Sequence, residues 1–232
     1  MRQSDHENLS LLETVGGLIF EPRTTVENLL DSESPPHAVS LFILLLLTIF
    51  GPIFYQFFKY GYNHESIAAV GALFVLIVFS IMVFVMIESW LFIIVGIDCG
   101  PSGVFACITY TFAPLIAIIA VVYGYNYYSS GTFSVVNLLV SGRGIMSGSF
   151  TKALPVSIGI AQLLVLIVFF YAVRYVGKMH SITSLAVACL SLIPFYLAFL
   201  AGLFVAESVH QGIVELVWNL ILSVSDPNIF RR

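Results

Sequence analysis

One acidic residue interrupts a long apolar stretch and is the strongest candidate for chemistry. Glu88 follows a run of apolar residues and is itself followed by Ser89 and Trp90. A charged carboxylate at the bilayer centre costs at least about 2.5–3.5 kcal/mol on insertion scales. We therefore expect Glu88 to be protonated, hydrogen-bonded between helices, or lining a wet cavity. Tyr110 and Gln162 are candidate hydrogen-bond partners.

Two interpretations of Glu88 follow. In the first it is a proton- or cation-linked site of a small transporter. In the second it is a neutral acid that helps to hold the helices together. Transporters usually bring several such groups together, and a single acid makes a poor relay, so the sequence favours the structural role.

Two cations lie at the end of the predicted fourth membrane-spanning segment. Arg174 and Lys178 could hold a lipid phosphate, although such residues are often ordinary anchors at the membrane surface. The histidines and cysteines show no metal-ligand spacing, and neither HExxH nor GxSxG occurs in the sequence. We expect no catalytic residues, no metal and no cofactor, and hence a protein that is not an enzyme.

The composition restricts the class of protein. Of the 232 residues, 59% are hydrophobic and 9% are charged, and the mean hydropathy is +1.00. A soluble domain contains about 25% charged residues. Soluble enzymes, nucleic-acid binders and disordered scaffolds are therefore excluded, and the sequence predicts an integral membrane protein.

Five apolar stretches reach the roughly 20 residues that a helix needs to cross a bilayer. They run over residues 38–58, 67–97, 103–123, 154–176 and 182–206. We predict an all-α, polytopic bundle of five transmembrane helices with amphipathic N-terminal and C-terminal helices. An acidic tail (1–37) precedes the membrane domain (38–206), and a second tail (207–232) follows it.

Prolines and small residues mark particular places on these spans. Pro52, Pro114 and Pro194 lie within the first, third and fifth spans, where each should kink its helix. Gly202 has an alanine four residues before it and another four residues after it. Such a face allows close helix packing, here within the molecule rather than in a dimer.

The regions outside the spans carry weaker patterns. A helical stripe in the acidic tail is formed by Leu9, Leu12, Val15 and Ile19. Thr24–Glu27 is typical of a capping box that starts a second short helix. We expect both helices to pack under the bundle, with the membrane surface and a partner protein as alternative contacts. Residues 124–151 are expected to form a loop with a flexible Gly/Ser tract, and an apolar stripe at 213–221 to lie at the interface.

The third span begins with the glycine turn GPSGVF at 100–105 and continues with TYTFAPL at 109–115. Together with the amphipathic lead-in and five spans, these motifs resemble the Yip domain family of Ypt/Rab-interacting proteins, especially its small prokaryotic members. The resemblance implies a five-helix membrane protein with a cytoplasmic N-terminus. Eukaryotic members of that family act in ER–Golgi trafficking with small GTPases.

These observations lead to one expectation and one alternative. We expect a non-enzymatic protein of the Yip type that organises other components of a prokaryotic cytoplasmic membrane. Its partners would be membrane lipids and a membrane protein or a second copy of itself, and nucleic acid is excluded. Lys and Arg are divided almost equally between the two sides of the spans, and we expect a cytoplasmic N-terminus. The alternative is a small transporter or ion-coupled carrier that uses Glu88.

Overall fold

The computed structural model describes residues 10–30, 37–61, 64–130, 148–215 and 217–218. Its main helices there are α1 (Leu11–Phe20), α2 (Pro22–Leu30), α3 (Ala38–Tyr60), α4 (His64–Val95), α5 (Pro101–Ser130), α6 (Gly148–Val176), α7 (Ser181–Leu190) and α8 (Leu192–Val209). Five segments are long and apolar enough to cross a membrane: α3, α4, α5, α6, and α7 together with α8. The predicted all-α, multi-pass membrane fold with five spans is confirmed.

Helix α5 occupies the centre of the bundle. It packs against α3, α4 and α6 and also against the short helix α1. Helix α4 lies along α8, and α7 packs on α6. Successive spans run in opposite directions. One side of the bundle therefore contains α1, α2, the ends of α4 and α6, and the start of α5. We call this side the amino-terminal face.

The acidic tail forms two helices as predicted, but its capping box lies elsewhere. At the start of α1, the Ser10 hydroxyl accepts a bond from the Glu13 amide at 3.3 Å, and the Glu13 carboxylate accepts one from the Ser10 amide at 2.7 Å. The capping box predicted at Thr24–Glu27 is wrong. Helix α2 already begins at Pro22, whose fixed φ and missing N–H suit the first helical position.

Both short helices are docked on the bundle. Leu18 of α1 and Val26 and Leu29 of α2 are at most 2% exposed, and they share one apolar cluster with residues of α3, α5 and α6. The two helices also meet closely, since a Cβ on Gly17 would lie 2.5 Å from the Thr25 hydroxyl. The expected packing under the bundle is confirmed.

Helix α4 is unbroken and ends at a glycine. Gly96 has φ +84°, the Gly96 amide donates to the Ile93 carbonyl at 3.1 Å, and the Ile97 amide donates to the Phe92 carbonyl at 2.8 Å. This pair of bonds is a Schellman motif, which needs a left-handed residue where glycine stands. The helix has 32 residues, about 48 Å at 1.5 Å per residue, so it extends beyond a hydrocarbon core of about 30 Å.

The fifth span is divided, but not at its proline. Helix α7 ends at Leu190 and α8 begins at Leu192, four and two residues before Pro194. Proline has no N–H for the carbonyl four residues earlier, that of Leu190, and its ring collides with that carbonyl. The disruption therefore appears one turn upstream, at Ser191. The third span, α5, by contrast continues through Pro114.

The predicted loop at 124–151 is too long at both ends. Helix α5 continues to Ser130, and α6 begins at Gly148. Most of the predicted Gly/Ser tract lies outside the described residues. Three residues of the C-terminal stripe are described. Ile213 is fully buried in a cluster with alanines and leucines of α4 and α8, Val217 packs against that cluster, and Val214 is exposed. Leu220 and Ile221 lie outside the described residues.

Candidate functional site

Glu88 is fully buried between two spans. Its Oε1 lies 2.5 Å from the hydroxyl of Ser191, which is 103 positions away in the sequence. Neither of the expected partners, Tyr110 and Gln162, forms this bond. Ser191 occupies the break between α7 and α8, and the pairing joins α4 to the fifth span there.

The number of protons available to Glu88 and Ser191 indicates which of the two donates the hydrogen bond. The Ser191 hydroxyl also lies 2.9 Å from the carbonyl of Val187, so its single proton faces two acceptors. Both contacts are satisfied together when the carboxyl of Glu88 carries a proton and donates it to the Ser191 oxygen. Glu88 Oε2 has no hydrogen-bond partner in the described part of the chain. An unpaired oxygen of a neutral acid is far less costly than that of a buried charge.

An apolar cavity of about 670 Å³ lies beside this pair. It is bounded by α5, α6, the fifth span and one residue of α4, and Ser191 forms part of its wall. Its other lining side chains are mostly aromatic and aliphatic, including Phe84, Phe112, Phe169 and Phe195. A cavity with such walls, within the membrane-spanning part of the molecule, suits hydrocarbon better than a hydrated ion.

A second, polar cavity of about 650 Å³ opens at the amino-terminal face. Arg174 and Lys178, the two predicted cations, line it together, and the structure adds Arg23 of α2. Glu27 and Asp98 bring two carboxylates to the same cavity. The sequence alone does not indicate that Arg23 lines this cavity, because its position depends on how α2 docks against α6.

The remaining predicted residues are dispersed, and all but Trp90 are buried in the packing. Trp90 is 69% exposed on the outer side of α4, about five residues from its end, where an aromatic side chain suits the headgroup region. Tyr110 and Pro114 are buried in the interior of α5. Gly202 is buried against α4, with Leu76 and Ser80 in its immediate surroundings. The small-residue face is therefore used within the molecule, as expected.

Comparisons with known proteins add no assignment. No protein-family model matches the chain, no curated protein matches it, and no solved structure matches it. The resemblance to the Yip domain family therefore stays a prediction. Within the part of the chain that the structure describes, no three His, Cys, Asp or Glu side chains form a group able to hold a metal ion.

Proposed function

We propose that this protein is a non-enzymatic organiser of membrane components, of the type suggested by its resemblance to the Yip domain family. One observation carries the proposal. Helix α1 is fixed to the bundle by Leu18, yet Leu12 and Phe20 on its outer side are each 83% exposed. The amino-terminal face thus presents a rigid helix with unpartnered apolar side chains.

The geometry of α1 favours a protein contact over a lipid one. Leu12, Gly16 and Phe20 follow one another at four-residue spacing, and a Cβ on Gly16 would meet nothing within 4 Å. Helices that lie on membranes usually carry Lys and Arg on their polar side. Helix α1 has neither, and it exposes Glu13 beside the apolar stripe. The stripe therefore suits the apolar side chains of a partner membrane protein.

The remaining parts of the proposal concern placement and assembly. We place the protein in a prokaryotic cytoplasmic membrane with α1 and α2 on the cytoplasmic side. A second copy of the chain is the other candidate for the partner. Membrane lipids surround the apolar outer faces of the spans.

A matched pair of substitutions tests the organiser role. Phe20 and Phe58 are 83% and 91% exposed, but Phe58 lies at the opposite end of the bundle, near the end of α3. The tagged full-length protein is extracted gently from native membranes, and co-purifying proteins are quantified by mass spectrometry. We expect one protein, or a second differently tagged copy, at stoichiometric yield with the wild type and F58S, and its loss with F20S. Equal recovery with F20S would contradict the proposed contact.

The second candidate function is an ion-coupled carrier. It is supported by the position of Glu88 on α4 opposite the break in the fifth span, with an apolar cavity beside its partner Ser191. Broken helices expose backbone groups to substrates in several transporter folds. Glu88→Gln retains the volume and the hydrogen bond but cannot titrate. Flux into proteoliposomes that is abolished by this variant, at normal expression and stability, would establish the carrier instead of the organiser.

A further inference from the structure

The polar cavity at the amino-terminal face contains cations without ion-pair partners. Arg23 pairs with Glu27 at 3.1 Å on the exposed surface of α2. Neither Arg174 nor Lys178 has an ion pair within 4.0 Å in the described ranges, although Asp98 lines the same cavity. Three cations against two carboxylates leave the cavity with an excess of positive charge.

The first turn of α5 adds hydrogen-bond donors to the same cavity. Pro101 opens the helix, and Ser102 and Gly103 both line the cavity. The first backbone N–H groups of a helix have no acceptor within the helix, and Gly100, the residue before Pro101, has no side chain to cap them. The helix dipole also favours an anion at this position. These donors and the unpaired cations therefore lie around one cavity.

The other walls of the cavity are apolar. Leu30, Val176 and Met179 line it together with Tyr171 and Tyr175. Close to the cavity, the chain after α6 packs tightly against the chain after α4, since a Cβ on Gly177 would lie 3.2 Å from Ile97 Cδ1. An occupant with a charged group and an adjoining apolar part would match both kinds of wall.

From these observations we propose that the cavity binds a phosphate group, carried by an anionic lipid or by a soluble phosphate. Arg174 and Arg23 offer planar guanidinium groups that can bond two oxygens each, and Lys178 offers a point charge. The inference is independent of the organiser role, because no residue of the exposed face of α1 takes part in it.

Thermal unfolding of the purified full-length protein in detergent provides the test. Three additions are compared: phosphatidylglycerol, phosphatidylcholine with the same acyl chains, and inorganic phosphate against chloride at equal ionic strength. We expect phosphatidylglycerol to raise the midpoint and phosphatidylcholine to leave it unchanged. A comparable rise with inorganic phosphate would assign the site to a soluble phosphate. No rise with either anion would overturn the proposal.

Substitutions test whether the stabilising anion binds in this cavity. Lys178→Gln and the double variant R174Q/K178Q remove charge from the cavity, and Lys59→Gln removes a charge at the opposite face of the bundle. The double variant should weaken the apparent affinity for the effective anion about tenfold or more, since charge-assisted hydrogen bonds are lost. Lys178 is exposed, so the single variant serves if the double variant fails to fold. An equal loss with K59Q would show a general charge effect and overturn the assignment.

Discussion

Ser191 and Glu88 show how a single hydrogen bond can place an acid in a membrane-spanning bundle. Their oxygens lie 2.5 Å apart, and the serine lies where the fifth span is broken. At the break, the buried Ser191 hydroxyl faces Glu88 of α4. The acid is therefore held between two spans, and its neutral form satisfies the hydroxyl contacts described above.

Removing the hydroxyl should weaken this junction. We expect Ser191→Ala to lower the stability of the protein by about 0.5–2 kcal/mol, the range of interhelical hydrogen bonds in membranes. Glu88→Gln should cost less, because its amide can still donate to the Ser191 oxygen. Thermal unfolding in detergent measures both. A Ser191→Ala variant with unchanged stability would show that the bond contributes nothing.

Gly202 provides a second test at the residue scale. A Cβ at this position would meet the Ser80 hydroxyl and lie 2.9 Å from the Leu76 carbonyl oxygen. We expect Gly202→Ala to destabilise the protein by about 1–3 kcal/mol, as overpacking does. Gly71→Ala on the facing helix is the control, because a Cβ there meets nothing within 4 Å. Equal midpoints for the two variants would contradict the close packing of α4 and α8.

Glu88 can be recognised as unusual from the sequence, but its partner Ser191 cannot. Glu88 stands out because a carboxylate is costly in an apolar environment. Ser191 gives no such signal, since serine is common in membrane helices and its role depends on a break induced by Pro194 downstream. Arg23 is missed for a similar reason. Its approach to Arg174 requires α2 to fold back on α6.

At the scale of elements, the end of α6 carries strain that the end of α4 avoids. Lys178 has φ +47° in a Schellman motif, in which the Lys178 amide donates to the Tyr175 carbonyl and the Met179 amide donates to the Arg174 carbonyl. A left-handed conformation costs a non-glycine residue roughly 1–2 kcal/mol. Helix α4 has Gly96 in the corresponding place. Lys178, unlike glycine, brings a charge to the polar cavity.

Replacing this lysine separates backbone strain from charge. Lys178→Gly should raise the stability by about 1 kcal/mol, because glycine adopts the left-handed conformation without a Cβ penalty. Lys178→Ala removes the same charge but keeps the Cβ, so it should bring no such gain. Chemical or thermal unfolding compares the two variants. A gain of equal size with alanine would attribute the effect to the charge.

The start of α1 should respond to pH through its capping box. Hydrogen bonds from Ser10, first from its side chain and then from its backbone, hold the pKa of Glu13 below its ordinary value of 4.5. A lowered folded-state pKa means that this contribution is present above the unfolded pKa and is lost as pH falls through the folded pKa. Hydrogen exchange, corrected for intrinsic pH dependence, should show α1 opening more readily below about pH 4.5. Glu13→Gln should remove this pH dependence, and an unchanged profile in that variant would contradict the capping role.

The presence of the helices can be predicted from the sequence more readily than the residues at which they begin and end. Five spans follow from long apolar runs, because only a helix satisfies its backbone groups in lipid. Their limits depend on finer signals. Helix α5 continues past the predicted end to Ser130, since tyrosines at a membrane surface are compatible with helix. Ser10–Glu13 and Thr24–Glu27 have the same residue pattern, but only Ser10–Glu13 stands at the start of a helix, whereas Thr24 lies inside α2.

At the scale of the whole molecule, the two ends of the bundle differ in construction. The amino-terminal face carries two docked helices, a cation-lined cavity and the exposed stripe of α1. The opposite face is described by the ends of α3, α5 and α8, the starts of α4 and α6, and the residues that follow α8 as far as 218, with aromatic side chains such as Tyr128 at 91% exposure. This asymmetry is the basis for placing the proposed partner contact on the amino-terminal face.

Site-specific photo-crosslinking in native membranes tests that placement most directly. A photoreactive amino acid replaces Phe20 in one variant and Phe58 in another, and the adducts are identified by mass spectrometry. The organiser account predicts that position 20 captures one protein, or a second copy of the chain, and that position 58 captures lipid. Lipid adducts alone at both positions would contradict it, because the exposed stripe of α1 would then be a membrane contact.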